Sequence, residues 1–342
     1  MKLKNVLLVS ALSFVFVGSS FAKENNSDTN TISKACNNAD NFQFIIMGDR
    51  TGKEQKGVFS EILQKVNSMR PEFVLSVGDN IQGYTEDVNA LNAQWDEFES
   101  MISLLDMPFI NVAGNHDVTN KVEKEIFNKR YGKPYFHKIY KDVLFLFIDT
   151  QDTTLELTPE ISAELDKENK KLKNMIKTQG YTPETMEFFE KYEAKQRQYN
   201  GGKISDEQFN YFKDVLEKNK NIRWTFVLLH KPIWKEEVPP KAWTDLEKLL
   251  SLKPHTVIAG HEHRHQYEVK NNHDYIIMGT CGGGWVWPKT LTGVYHHILW
   301  ITMDGSKPLI TNIYTNGIME KSDIRPYQHS VLAAPEVNEN GK

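Results

Sequence analysis

PFINVAGNHD, residues 108–117, joins an apolar run to a group of polar residues, and this pattern indicates the fold. Its apolar first half, residues 108–112, predicts a buried strand, and the polar tetrapeptide GNHD (114–117) follows almost at once. The same arrangement occurs at three other places, where apolar runs end in GDR (48–50), GDN (78–80) and GHEH (260–263). In α/β sheets, functional sites are built at the carboxyl ends of the strands. The sequence therefore predicts an α/β fold with a site at that edge.

The polar residues at these strand ends are all of metal-binding types. They comprise carboxylates, an amide and imidazoles: Asp49, Asp79, Asn115, His116, His230, His261 and His263. Mixed oxygen and nitrogen ligands suit Mn, Fe or Zn, whereas an all-oxygen set would favour Mg or Ca. Two ions about 3.5–4 Å apart can share a hydroxide and clamp a phosphoryl oxygen. The pattern thus indicates hydrolysis of phosphate esters with two divalent metal ions.

The motif order GDR, GDN, GNHD, a lone histidine at 230 and GHEH resembles the calcineurin-like metallophosphoesterase family. The motifs span residues 48–263, and the resemblance in fold covers roughly residues 42–315. It implies a four-layer αββα sandwich, in which two mixed β-sheets lie face to face with helices outside. It also implies that a hydroxide bridging two divalent ions attacks a small-molecule phosphate ester.

The resemblance also implies a role for each motif residue. Asp79 would bridge both ions, and the other ligands would divide into Asn115, His230 and His261 on one ion and Asp49 and His263 on the other. His116 would sit over the phosphoryl group and stabilise or protonate the leaving oxygen. Asp117 would orient His116.

One position departs from the family pattern. The family usually begins Asp-x-His, whereas here Asp49 is followed by Arg50 and Thr51, so one imidazole is absent. Gln82, three residues after Asp79, stands where the related purple acid phosphatases place a metal-binding tyrosine. Its carbonyl oxygen could coordinate weakly, and the alternatives are Tyr84 and Thr51. We expect the ion at Asp49 and His263 to bind less tightly than the ion at Asn115, His230 and His261.

Three features stay open on sequence alone. Arg50 could contact the phosphate through its guanidinium fork, or it could form a salt bridge with a local carboxylate. Trp285 and Trp287, in the glycine-rich stretch 281–287, could form a substrate-facing wall or cap the core. Cys36 and Cys281 could pair in an exported protein or remain buried thiols, since geometry decides a disulfide.

The ends of the chain carry no site motif. Residues 1–22 have the three-part pattern of a cleaved secretory signal, and their apolar run is shorter than the about 18 residues of a membrane anchor. A flexible leader (23–40), the catalytic domain (41–316) and a C-terminal tail (317–342) follow. The mature protein is therefore expected to be periplasmic or secreted, with no membrane contact after cleavage.

The charge of the chain argues against binding to nucleic acids or membrane surfaces. With 41 Lys and Arg against 45 Asp and Glu, the chain offers no electrostatic case for nucleic acid or a membrane surface. The Glu- and Lys-rich segment 158–202 predicts a helical insertion of two charged helices, whose mixed charge is typical of a solvent face. A phosphodiesterase, or a non-catalytic protein that binds a phosphate ligand on the same fold, remains the alternative. The oligomeric state is not indicated.

Overall fold

The first sheet is built around β1 (Phe42–Met47), the apolar run that precedes GDR. The computed structural model describes residues 40–152, 158–285, 292–314 and 317–320. β1 pairs in parallel with β2 (Phe73–Ser76), which pairs in parallel with the short strand β3 (Phe109–Ile110). On the other side of β1, antiparallel strands complete the sheet: β10 (His297–Asp304), β11 (Lys307–Tyr314) and β12 (Gly317–Glu320).

The second sheet has a parallel centre with antiparallel edges. Its centre consists of β5 (Val143–Ile148), β6 (Trp224–Leu229), β7 (His255–Ala259) and β9 (His273–Ile277). The edges are β4 (Phe136–Tyr140), paired with β5, and β8 (Gln266–Lys270), paired with β9. Both sheets are therefore mixed, as predicted.

The two sheets pack face to face through aromatic side chains. The Phe44 ring of β1 lies 5.3 Å from the Phe145 ring and 5.1 Å from the Phe226 ring of the opposite sheet, both edge-on. Helices cover the outer faces: α1 (Val58–Met69), α2 (Val88–Ile102) and α4 (Lys121–Tyr131) on the first sheet, and α7 (Asp206–Lys218) and α8 (Lys241–Leu250) on the second. A one-turn helix, α3 (Asn115–Val118), precedes α4. The predicted four-layer αββα sandwich is confirmed.

The segment 158–202 contains two helices, α5 (Pro159–Gln179) and α6 (Pro183–Asn200). They pack on each other through a small apolar cluster of their own, which includes Leu165, Leu172 and Tyr192. Lys195 on α6 also pairs with Glu164 and Glu168 on α5, at 2.8 and 2.9 Å. The apolar cluster holds the pair of helices together while their charged faces remain in solvent.

Several boundaries differ from the predicted ones. β3 is two residues long because the backbone beyond Ile110 leaves the ladder, and the N–H of Val112 is 3.4 Å from the hydroxyl of Ser76. β12 extends the domain past residue 316. The predicted signal (1–22) and all but the last residue of the predicted leader (23–40) lie outside the described residues. Within the described ranges, no helix has the length and apolar character needed to span a bilayer.

Candidate metal centre

The strand-end motifs of both sheets meet at one edge of the sandwich. Asp49 follows β1, Asp79 follows β2 and Asn115 follows β3, while His230 and His261 follow β6 and β7. All of these side chains except that of His261 are buried. Parallel strands that end at the same edge bring residues far apart in sequence into one cluster.

One group of potential ligands surrounds His230; we call it cluster 2. His230 Nδ1 lies 2.8 Å from the carbonyl oxygen of Val77, which fixes the proton on Nδ1 in the neutral ring. Nε2 then offers its lone pair to a space that it shares with Asn115 Oδ1 at 2.9 Å, Asp79 Oδ2 at 3.2 Å and His261 Nδ1 at 3.3 Å. Four electron-pair donors converge, which is the arrangement that a divalent cation satisfies.

The other group of potential ligands, which we call cluster 1, consists of Asp49, Asp79 and His263. Their ligand atoms all lie within 4.8 Å of one another, and His263 Nε2 is 3.2 Å from Asp49 Oδ2. The other ring nitrogen of His263 donates to the carbonyl oxygen of Gly284, so Nε2 faces the carboxylates. Asp79 belongs to both clusters, which places it where a residue bridging two ions must lie.

The titrating groups of both clusters respond to each other's charge. Burial alone would raise the pKa of Asp79, but the nearby His230 and His116 hold that pKa well below its usual range. Burial would lower the pKa of His263, yet its hydrogen bond with Asp49 and the charge of that carboxylate raise the pKa to about 9. Burial and the neighbouring His230 lower the pKa of His261. Asp79 is therefore held ionised, and protonated His263 balances part of the negative charge that a bound metal would neutralise.

The loops that carry these residues have constrained backbones. Asp79, His261 and His263 have φ values of 58°, 72° and 52°, in the left-handed region that non-glycine residues rarely adopt. Gly78 has φ 103°, and a Cβ there would lie only 2.7 Å from His230 Nδ1. Such conformations persist when the surrounding structure over-determines them, and they occur most often at functional sites.

His116 lies beside the clusters with its imidazole partly exposed. Its Nδ1 is 2.6 Å from the carbonyl oxygen of Gln82, and its Nε2 is 4.0 Å from Asp79 Oδ2. The Gln82 carbonyl accepts the Nδ1 proton, so Nε2 is the nitrogen that faces the clusters. The leaving oxygen of a phosphate ester that lies beside Asp79 would be within reach of this nitrogen.

The orienting role predicted for Asp117 is wrong. Its buried carboxylate accepts hydrogen bonds from the loops that follow β2 and β3: the backbone N–H groups of Asp79, Asn80, Ile81 and Gly114, and the side-chain amide of Asn80. Burial and the charge of Asp79 raise its pKa to about 7. Asp117 therefore ties the loops of Asp79 and Asn115 together, and Gln82 orients His116 instead.

Of the two alternatives for Arg50, a phosphate contact and a salt bridge, the structure shows the salt bridge. The buried guanidinium donates to the Asn80 carbonyl at 2.9 Å and pairs with Glu54 and Glu97 at 3.2 and 3.4 Å. Its side chain is only 3% exposed, so the salt-bridge alternative describes it.

None of the three candidates for the absent imidazole is placed as a ligand of cluster 1. The Thr51 hydroxyl donates into the loop after β2, with the carbonyl oxygen of Ile81 at 2.6 Å and that of Asp79 at 3.0 Å. The Gln82 amide lies beside His116 Nδ1, at 3.4 Å. The Tyr84 hydroxyl accepts a hydrogen bond from the Asn115 amide, 2.7 Å away, at cluster 2.

The glycine-rich stretch is packed against the loop after β1. Cys281 is buried, accepts the N–H of Gly48 and donates to the carbonyl oxygen of His297. Burial raises the pKa of this thiol to about 12. Trp285 is half-buried and lies 4.6 Å from the ring of His296. Trp287 and Cys36 lie outside the described residues.

Two charged residues near the clusters, Glu123 and Lys231, were not predicted from the sequence. Glu123 is fully buried and accepts the N–H groups of Thr119 at 2.7 Å and Thr85 at 3.1 Å, and burial raises its pKa to about 7. The N-x-x-E pattern at 120–123 is a capping box that marks it. Lys231 follows His230 and is also buried, which lowers its pKa to about 7. Only its position beside the lone histidine distinguishes Lys231 in the sequence.

Comparisons with known proteins agree with this geometry. Residues 42–265 match the family model described as calcineurin-like phosphoesterase. A dimetal phosphatase from Danio rerio superposes with a TM-score of 0.54 at 12% identity, covering 84% of this chain and 99% of that chain. GAP50, described as the anchor in the inner membrane complex of Plasmodium, gives 0.50 at 17% identity, covering 83% and 89%. These two structural likenesses show a shared fold, and a search of curated proteins gave no match.

Proposed function

The chain belongs to the calcineurin-like phosphoesterase family, and we propose that it is an exported phosphatase that hydrolyses small-molecule phosphate esters with two divalent ions. Family membership makes it a hydrolase of phosphate esters. The observation that carries the dimetal proposal is the convergence of cluster 1 and cluster 2 on Asp79, which belongs to both. A single carboxylate shared by two groups of ligands suits two ions held a few ångströms apart.

The ligand types favour Mn, Fe or Zn over Mg or Ca. Cluster 2 combines two imidazoles with a carboxylate and an amide oxygen, and cluster 1 combines one imidazole with two carboxylates. Imidazole ligands suit the transition metals, whereas Mg and Ca prefer oxygen alone. We expect each cluster to hold one such ion.

The two ions are expected to differ in affinity. Cluster 2 offers four side chains, whereas cluster 1 offers Asp49, Asp79 and His263. The hydroxyl of Thr51, which stands at the position of the absent imidazole, already donates to the loop after β2. We therefore expect the ion at cluster 1 to bind more weakly, and activity to depend on added metal.

The chemistry at the centre divides between the ions and the protein. Two divalent ions, when bound, supply the Lewis acidity that activates water and neutralises phosphoryl charge. In its imidazolium form, His116 gives the proton on Nε2, on the side of Asp79, to the leaving oxygen. Its ring cannot turn away without losing the 2.6 Å hydrogen bond between Nδ1 and the Gln82 carbonyl.

Export is proposed from the sequence of the first 22 residues. Lys2 and Lys4 precede an apolar run, and small residues precede Lys23, which is the pattern of a cleaved signal. The near-neutral overall balance of charge suits a small-molecule substrate rather than a nucleic acid. We place the mature enzyme in a periplasm or outside the cell.

The test is hydrolysis by the purified mature protein. After chelation, Mn, Zn, Fe or Mg is added back, and p-nitrophenyl phosphate is compared with bis(p-nitrophenyl) phosphate. The Asp79→Asn variant removes the shared charge, and Asp149→Asn is a matched control, because Asp149 is a buried carboxyl outside both clusters. We expect metal-dependent turnover that is lost in Asp79→Asn and kept in Asp149→Asn. The preferred ester decides between a monoesterase and a diesterase.

A second function, non-catalytic binding of a phosphate ligand, has one feature in its favour. The family imidazole is absent at Thr51, whose hydroxyl instead donates to carbonyl oxygens of the loop after β2. The same assay separates the two functions. Bound metal without turnover of either ester, together with binding of inorganic phosphate, would favour the binding protein.

A further inference from the structure

Tyr84 lies behind cluster 2, on the side of Asn115 that faces away from His230. The Asn115 amide is held at both ends: Nδ2 donates to the Tyr84 hydroxyl at 2.7 Å, and Oδ1 lies 2.9 Å from His230 Nε2. We propose that Tyr84 is a positioning residue whose hydroxyl keeps the oxygen of the Asn115 amide, and not its nitrogen, directed into cluster 2. This inference rests on the proposed dimetal function.

An asparagine needs such a partner because the two ends of its amide are nearly the same size. If the amide turned by about half a circle, its NH₂ would face cluster 2 and would donate to Asp79 Oδ2 or His230 Nε2. That orientation satisfies the metal-free centre but directs hydrogens at a cation. Asn115 is buried, so bulk water does not select between the two orientations. In the observed orientation the Tyr84 hydroxyl accepts a hydrogen bond from the NH₂ group, which leaves the amide oxygen directed into cluster 2.

The loop that carries Tyr84 is itself firmly held. The N–H of Gly83 donates to Gln94 Oε1 at 2.9 Å, and the N–H of Thr85 donates to Glu123 Oε1 at 3.1 Å. Tyr84 has φ 54°, a conformation that its two anchored neighbours maintain. The hydroxyl therefore has a fixed position against which the amide can be set.

The Tyr84 ring also contacts the catalytic histidine. It meets the imidazole of His116 edge-on, with 4.5 Å between the ring centroids. Phenylalanine keeps this ring contact and removes only the oxygen, so Tyr84→Phe isolates the effect on Asn115. A loss of metal binding in this variant is then assigned to the hydroxyl.

The experiment is Mn titration of the metal-free full chain by calorimetry. We expect Tyr84→Phe to weaken one of two ions by about tenfold to a hundredfold, as for other partners of metal ligands, and to leave the other within twofold. Asn115→Ala identifies which ion is bound at cluster 2. The double variant should bind that ion no more weakly than Asn115→Ala alone, because the hydroxyl acts through the amide.

The matched control is Tyr131→Phe. Tyr131 also has a hydrogen-bonded hydroxyl, which donates to Glu99 at 2.8 Å, and its loss should leave both ions within twofold of wild type. Unchanged binding in Tyr84→Phe, equal weakening of both ions, or full additivity with Asn115→Ala would overturn the inference. Wild-type protein that fails to bind two ions would overturn the proposed function as well, so the two failures are distinguishable.

Discussion

Replacing Asp117 with asparagine distinguishes a residue that ties the loops together from one that orients His116. The change is nearly isosteric, but it replaces one acceptor oxygen by a donor. Oδ1 accepts two backbone N–H groups, from Asn80 and Ile81, while Oδ2 accepts those of Asp79 and Gly114 and the Asn80 amide. The better orientation of the new amide therefore leaves two N–H donors unpaired.

The magnitude follows from those two donors. Each buried donor left without an acceptor costs about 1–3 kcal/mol, and relief of the buried carboxylate, whose pKa is raised to about 7, offsets part of the sum. We expect the metal-free Asp117→Asn protein to lose about 3 kcal/mol. At about 2–4 °C per kcal/mol for domains of this size class, the melting temperature falls by about 6–12 °C.

Thermal unfolding of the metal-free variants by calorimetry measures this loss. Asp149→Asn is the matched control, because its carboxylate accepts one backbone N–H, from Gln151, which an amide oxygen can still accept. The control should stay within about 3 °C of wild type, a loss of about 1 kcal/mol. An Asp117→Asn protein with wild-type stability and metal affinity, but a reduced kcat, would refute this reasoning and restore the orienting role.

Three further outcomes are expected. Arg50→Ala should lower the melting temperature, because the hydrogen bond and ion pairs of its buried guanidinium are lost, and leave KM for p-nitrophenyl phosphate within twofold; a tenfold rise in KM would favour the phosphate contact. Gly52→Ala should weaken the binding of the ion at cluster 1 about tenfold, because the new Cβ lies 2.7 Å from His263 Cε1. Gly57→Ala is the control: its backbone strain is similar but its Cβ meets open space, so binding of the ion should not change. Cys281 should resist iodoacetamide at pH 8, because burial raises its pKa to about 12, and react after unfolding without reductant; resistance after unfolding would indicate a disulfide.

The arrangement of the metal centre was predictable because it depends on topology. An apolar run predicts a buried strand, and the parallel strands of one sheet end at the same edge. The positions of the strands alone, without loop geometry, group together the ligand-type residues at 49, 79, 115, 230, 261 and 263. Their division into two clusters that share Asp79 came from the family resemblance, and the structure places the residues accordingly.

Side-chain directions inside the loops were not predictable in this way. Arg50 is next to a potential ligand in sequence, yet its guanidinium is held by the Asn80 carbonyl, Glu54 and Glu97. Asp117 follows His116, but adjacent residues on a helix point about 100° apart. Its place in the first turn of α3 was a missed signal, because carboxylates there accept free N–H groups.

The strand β4 was missed for a different reason. Phe136–Tyr140 lies at an edge of its sheet, and its five side chains are half-buried or exposed. A strand with little buried surface lacks the strong apolar pattern that predicts a buried strand. Its pairing with β5 rests on backbone hydrogen bonds that the sequence does not reveal.

Anomalous diffraction from crystals of the mature protein grown with Mn would locate the ions themselves. We expect two Mn peaks about 3.5–4 Å apart, one at Asp49 and His263 and one at Asn115, His230 and His261, with Asp79 contacting both. The peak at Asp49 should have the lower occupancy when Mn is limiting. A single peak, or two peaks that do not share Asp79, would rule out a dimetal centre bridged by Asp79.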